Sequence, residues 1–88
     1  MDSYKISPRF SWKKLGTGCI LLDLEKGSYF TLNDTASLIW DGVMRGLGEE
    51  AIAASVAAQY VISLEQARAD VGGTIAQLVQ EGVLERRQ

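Results

Sequence analysis

Apolar and polar positions along the chain predict strands in its first third and helices in the remainder. Phe10 and Trp12 stand among polar neighbours at a period of two, which indicates a short edge strand within the N-terminal arm, residues 1–17. After residue 33 the apolar residues recur instead at spacings of three and four, as on one face of a helix. The pattern therefore predicts strands followed by helices.

Two strand-like runs, 19–24 and 28–32, are separated by Glu25-Lys26-Gly27. A three-residue hairpin loop with glycine in the left-handed conformation fits this spacing. Such a loop pairs Leu22 with Phe30 and predicts an apolar sheet face that turns toward the core. The residues of this face are Ile20, Leu22, Leu24, Phe30 and Leu32.

Three helices are predicted from their caps and apolar stripes. Asn33 is a good N-cap for the first helix, and Glu49-Glu50 suits the first turn of the second. The third helix, residues 64–81, follows Ser63 in a sequence of capping-box form in which Gln66 is able to reach back. Residues 83–85 after it favour a short strand or a tail. The apolar stripes are Ala36, Ile39, Trp40, Val43 and Leu47; then Ile52, Ala53, Val56 and Tyr60; then Leu64, Ala67, Val71, Ile75, Leu78 and Val79.

Length and composition bound the fold and the chemistry. The 88 residues, 47% of them apolar, form one domain with residues 86–88 as a tail, in the α+β class: a three-stranded antiparallel sheet followed by three helices. One cysteine excludes an internal disulfide, and the absence of histidine removes the commonest general base and metal ligand. Cys19, in a strand rich in leucine, is expected to be a small buried side chain. We predict no catalytic residue, metal or cofactor, and hence no enzyme.

Charge is unevenly distributed along the chain. The net charge is −2, but residues 1–14 hold four basic side chains against Asp2. This basic arm is either a solvated edge or an electrostatic guide for an acidic partner. An acidic chain with no long apolar run predicts neither a nucleic-acid partner nor a membrane partner, and we expect a cytoplasmic protein.

Two local features suggest a binding surface. Gly72-Gly73 lies inside the third helix, although each glycine costs about 0.5–1 kcal/mol relative to alanine there. Close helix packing, a wall kept low for a ligand, or a kink would each explain the pair. The strand 28–32 carries no charge and no proline, so as an edge strand it would be open to an added strand.

The stretch from Leu21 to Ala36, which includes Leu-Asp-x-x-x-Gly-x-Tyr-Phe-x-Leu-Asn, and the following Ile39-Trp40 resemble the signature of PqqD-like proteins. These are recognition elements for the precursors of ribosomally made, modified peptides. The resemblance covers roughly residues 18–85. It implies a fold related to the winged helix-turn-helix, with the leader of a precursor peptide bound as an extra strand beside the third helix.

Carried onto this chain, the resemblance implies that the strand 28–32 receives the leader and that the stretch 71–78 forms the wall. Apolar leader residues would pack beside the wall, and polar contacts would come from its polar side chains and from Arg68. The expected peptide-binding residues are Ser28, Tyr29, Phe30, Thr31, Leu32, Arg68, Val71, Gly72, Thr74, Ile75 and Leu78.

The resemblance also implies a pathway. Family members deliver the precursor to a leader peptidase, a cyclase or a radical enzyme. The turn Leu24-Glu25-Lys26-Gly27 looks more like the standalone elements of lasso-peptide biosynthesis than like the peptide chaperone of pyrroloquinoline quinone biosynthesis, which is the alternative. A winged-helix DNA-binding regulator and a weak homodimer that pairs through its sheet edge are further hypotheses.

Overall fold

The computed structural model describes residues 3–87, so Met1 and Asp2 of the arm and Gln88 of the tail lie outside it. The α+β class is confirmed: a three-stranded antiparallel sheet precedes three helices. The strands are β1 (Tyr4–Ile6), β2 (Phe10–Leu15), β3 (Gly18–Asp23), β4 (Tyr29–Leu32) and β5 (Leu84–Arg86); the helices are α1 (Asp34–Met44), α2 (Glu49–Tyr60) and α3 (Leu64–Gln80).

The strands form two sheets. The larger has the order β2-β3-β4, and the smaller pairs β1 with β5, with Tyr4 opposite Arg86. The sequence pattern did not predict β1. It left residues 83–85 open between strand and tail, and β5 shows that a strand forms there and includes Arg86. The smaller sheet therefore ties the two ends of the chain together.

The predicted register of the β3–β4 hairpin is wrong by one residue. Leu21, not Leu22, stands opposite Phe30, and Cys19 stands opposite Leu32. Because side chains alternate between the faces of a strand, this shift turns the predicted apolar face of β3 outward. Leu22 and Leu24 are accordingly 37% and 58% exposed, whereas Cys19, Leu21 and Asp23 are buried; Phe30 and Leu32 do pack against the core, as predicted.

Asp23 sets this register by making the turn longer than predicted. Its Oδ1 accepts hydrogen bonds from the backbone N–H groups of Glu25 (2.9 Å) and Lys26 (3.0 Å). Its own N–H donates to the carbonyl of Ser28 at 2.8 Å, so the loop has four residues, Leu24 to Gly27. Gly27, at φ +74°, takes the left-handed conformation that was predicted for it.

The helix caps follow the sequence prediction closely. Asn33 Oδ1 accepts from the N–H of Ala36 at 2.9 Å, and Ser63 Oγ accepts from the N–H of Gln66 at 3.0 Å. The second half of the predicted capping box does not form, because the Gln66 amide donates to Asp70 instead. All three helices start where the sequence predicted.

The core lies between the larger sheet and the helices, around Trp40, Leu21 and Ile39, which are all fully buried. Helix α3 contributes Ala67, Val71, Ile75 and Leu78 to it, at the spacing that the sequence predicted. Three positions of the predicted apolar stripes, Leu47, Tyr60 and Leu64, are about 40% exposed. Among the helices of residues 3–87, none has the length and apolar content needed to cross a membrane.

The cations of the basic arm are mostly paired within the molecule. Arg9 binds Asp23, Lys14 binds Asp41, and Lys5 lies 3.9 Å from Glu85. These contacts favour the interpretation of the arm as a basic edge of the fold over that of a guide for an acidic partner.

Candidate functional site

Strand β4 is an edge of the larger sheet, and half of its backbone hydrogen-bonding groups point away from β3. The N–H of Asp23 bonds to the carbonyl of Ser28, which makes these two residues a hydrogen-bonded pair. In an antiparallel ladder such pairs alternate with pairs that are not bonded. Tyr29 and Thr31, opposite Leu22 and Ile20, therefore direct their N–H and C=O groups to the open edge.

Beside this edge runs a groove of about 420 Å³ between β4 and α3. Its floor and walls are mainly apolar, and its rim on α3 is polar. The lining residues are Phe30, Leu32, Ala36, Gly73, Thr74, Gln77, Leu78 and Glu81.

Small residues keep the groove open. A Cβ at Gly73 would have no neighbouring atom within 4 Å, so any larger side chain there would project into free space above β4. Ala36, on the first turn of α1, also lines the groove with a small side chain. The groove therefore runs along the same strand whose edge is open.

Four of the predicted peptide-binding residues line the groove: Phe30, Leu32, Thr74 and Leu78. Ser28, Tyr29 and Thr31 belong to the same strand or to its start, and the last two have exposed side chains on the outer face of the sheet.

The other predicted peptide-binding residues of α3 do not line the groove. Val71 and Ile75 are core residues, 0% and 3% exposed. Arg68 makes a bidentate pair with Glu50 of α2, at 2.7 and 3.1 Å. Gly72 lines a different hollow on the opposite side of the helix.

Four residues of the groove are absent from the predicted list of peptide-binding residues: Ala36, Gly73, Gln77 and Glu81. Gly73 and Gln77 nevertheless lie within the stretch 71–78 that was predicted to form the wall. Three of the four follow from helical spacing, because positions 73, 77 and 81 succeed one another at intervals of four. Starting from Thr74 and Leu78, the same periodicity would have selected this face. Ala36 belongs to another helix, and no signal in the sequence places it at the groove.

A second hollow, of about 280 Å³, lies on the other side of α3. The smaller sheet and the start of α2 line it: Tyr4 Oη donates to Glu49 Oε2 at 3.4 Å, and the guanidinium of Arg86 lies 5.9 Å from the centre of the Tyr4 ring. The lining residues are Tyr4, Glu49, Gly72, Ile75, Ala76, Val79, Gln80 and Arg86.

Ionisable groups in the structure have structural roles. The hydrogen bonds from Arg9 lower the pKa of Asp23, so this carboxylate stays charged while it holds the turn before β4. Burial raises the pKa of the Cys19 thiol, which makes it a poor nucleophile. Among residues 3–87, no three acidic, cysteine or histidine side chains come together as a metal site would require.

Comparison with known proteins agrees with this architecture. A family model described as coenzyme PQQ synthesis protein D (PqqD) matches residues 18–84. A search of curated proteins gives no significant match.

Two solved structures are similar over almost the whole chain. TbiB1 in complex with the TbiA(beta) leader peptide is 27% identical, with a TM-score of 0.84, over 92% of this chain and 94% of that one. Lasso peptide synthetase B1 complexed with the leader peptide is 26% identical, with a TM-score of 0.87, over 94% and 98% of the two chains.

Proposed function

The chain belongs to the PqqD family, and on that premise we propose that it is a binding module for the leader of a ribosomally made precursor peptide. The leader adds a strand to the edge of β4 and inserts alternate side chains into the groove beside α3. The single observation that carries the proposal is the coincidence of an open strand edge with an apolar groove along it. Both similar structures are described as complexes with a leader peptide.

The proposed role is carriage rather than catalysis. The groove contains an amide, a hydroxyl and one carboxylate, and no pair of groups that would act as nucleophile and base. We propose that the module hands the bound precursor to a leader peptidase, a cyclase or a radical enzyme of the same pathway. We propose that it acts where the precursor is made, in the cytoplasm.

Lasso-peptide biosynthesis is the proposed pathway, and synthesis of pyrroloquinoline quinone is the alternative. The similarity to a lasso peptide synthetase B1 over 94% of the chain supports the first, whereas the name of the matching family comes from the second. Leaders from the two kinds of precursor, offered to the same protein, would distinguish them by affinity.

The direct test is an amide-NMR titration with the leader half of a short precursor peptide, such as the product of a neighbouring short open reading frame. We expect saturable shifts at residues 28–33 and 73–81, because these segments bound the groove. Shifts in the smaller sheet alone would contradict the proposal. Sedimentation at rising protein concentration, without peptide, would show whether a second copy pairs with the same edge.

A proline in β4 tests strand addition itself. Thr31→Pro removes an N–H that points to the open edge and leaves the bonded pair of Leu21 and Phe30 intact. We expect the affinity for the leader to fall about tenfold, which corresponds to one backbone hydrogen bond of about 1.4 kcal/mol. Isothermal titration calorimetry would measure it, with Thr31→Ala, which retains the N–H, as the matched control. Equal affinities for these two variants would show that the leader does not bond to Thr31.

A further inference from the structure

Glu81 is the one charged residue among those that line the groove. Its carboxylate is exposed and accepts a hydrogen bond from the amide of Gln77 at 2.9 Å, which holds it at the rim. Within residues 3–87 it makes no ion pair. The groove therefore presents a single, uncompensated negative charge beside an apolar floor.

The end of α3 adds to this negative charge. Glu81 is the C-cap of the helix, and the last turn contains no basic side chain. The helix dipole places partial negative charge at this terminus, where a cation is favoured. Both the side chain and the helix end thus select for a positive group at one end of the groove.

Glu81 lies at the end of the groove where β4 begins. A Cβ at Gly82 would lie 3.8 Å from Nη1 of Arg9, whose other nitrogens are bonded to Asp23. Asp23 in turn pairs with Ser28, immediately before β4. Because Asp23 already holds the Arg9 guanidinium, that cation does not compensate Glu81.

We propose that the leader carries a lysine or arginine that Glu81 binds, next to an apolar residue that packs on Phe30 and Leu78. This inference rests on the proposed function, since it names the chemistry of the peptide bound in the same groove. In an added strand, the basic residue is the next one on the same face, toward the end that lies beside Ser28. Glu81 is thus a specificity residue for the leader.

The experiment uses a displayed library of short random peptides, selected on the wild-type protein and on Glu81→Lys. We expect the wild type to enrich peptides in which an apolar residue and a lysine or arginine stand two positions apart, on the same face of the strand. Glu81→Lys is expected to enrich acidic residues there. This charge reversal suits a helix C-terminus, so the fold is retained.

The magnitude is measured with one selected peptide. Glu81→Gln is expected to weaken its binding about threefold and Glu81→Lys about tenfold, as befits an exposed ion pair, and both losses shrink at high salt. Glu65→Gln and Glu65→Lys are the matched controls, because Glu65 lies at the other end of α3, outside the groove. They change the net charge equally and are expected to leave the affinity within measurement error.

Two outcomes overturn the inference in distinguishable ways. If the wild type enriches apolar peptides with no preference for charge, and the Glu81 variants bind them equally well, the groove binds leaders but Glu81 selects nothing. If the selected peptides bind equally well to a protein whose groove is blocked by Gly73→Arg, the groove is not the binding site and the proposed function fails as well.

Discussion

The two hollows that flank α3 are each lined by one glycine of an adjacent pair, and they differ in what surrounds them. Adjacent glycines, Gly72 and Gly73, open one on each side of the helix. On the Gly72 side, β1 and β5 cover the helix, and Tyr4 reaches across to Glu49. On the Gly73 side nothing within residues 3–87 covers the groove, and the edge of β4 lies open beside it.

The difference lies in what faces each glycine rather than in the glycines themselves. A Cβ at Gly72 would meet one atom within 4 Å, the side-chain Oε1 of Glu49 at 3.9 Å, so close packing does not explain this glycine. A low wall beside free space describes Gly73. On one side α3 therefore faces the smaller sheet and the start of α2, and on the other it lines the proposed docking surface.

The largest expected effect comes from removing a residue that lines the Gly72 side. Tyr4 is 7% exposed, so Tyr4→Ala is expected to lower the free energy of unfolding by about 3 kcal/mol. Tyr4→Phe, which keeps the buried ring and removes the hydroxyl, is expected to cost less than about 1 kcal/mol. Urea denaturation measures both. Leader affinity of the folded protein should not change, and a loss of affinity in Tyr4→Ala would show that the two sides are not independent.

The next effect compares the glycines directly. Gly73→Arg fills the groove and is expected to weaken leader binding about 100-fold or more, some 2.7 kcal/mol. Gly72→Arg, on the other side of the helix, is expected to bind the leader as the wild type does. Both replacements raise helix propensity by up to about 1 kcal/mol, so neither should unfold α3. Fluorescence anisotropy with a labelled leader measures the affinities. Loss of binding in Gly72→Arg alone would show that the leader binds in the hollow beside the smaller sheet and not in the groove beside β4.

The smallest expected effect is a loss of local stability in the turn before β4 at low pH. Arg9 lowers the pKa of Asp23, so the stability that this pair contributes is present above the ordinary aspartate pKa of about 3.9 and is lost as the pH falls through the lowered value. We expect the turn amides of Glu25 and Lys26 to lose hydrogen-exchange protection in that range before those of β1 do. In Asp23→Asn, which keeps the turn acceptor but not the charge, this part of the acid dependence should be absent.

The helices of this fold are largely predictable from the sequence, because their signals are local. Asn33 and Ser63 each bond to a backbone group three residues on, so a short window contains all the information. The apolar stripe of α3 is equally local, and its buried members are those predicted, apart from Leu64 and the half-buried Val79.

The register of β3 and β4 was not predictable from apolar residues alone, because β3 is apolar on both faces. Ile20 and Leu22 alternate with Cys19 and Leu21, and either set would make a core face. The register is decided by Asp23, whose carboxylate fixes the turn and bonds to Arg9 in the turn before β2. That contact joins residues that are far apart in the sequence.

The groove could be predicted as a strand edge but not as a set of wall residues. The uncharged segment 28–32 identified the edge, whereas the wall depends on how α3 is rotated about its axis. Val71 and Ile75 have the apolar character of a peptide-binding wall, and the same character places them in the core. The smaller sheet is likewise invisible to local patterns, because it pairs Tyr4 with Arg86 across the whole chain.

That pairing places the first and last strands of the fold side by side. Beyond β1 and β5, the N–H of Arg87 still donates to the carbonyl of Ser3 at 2.9 Å, so the chain enters and leaves at one point on the surface. A short linker would join these ends in a circular permutant, with new termini opened in the exposed Gly46–Leu47 turn. For the same reason the whole domain could be inserted into a surface loop of a larger enzyme without distorting the fold of that enzyme. The groove would keep its shape after such an insertion, because none of its lining residues belongs to β1 or β5.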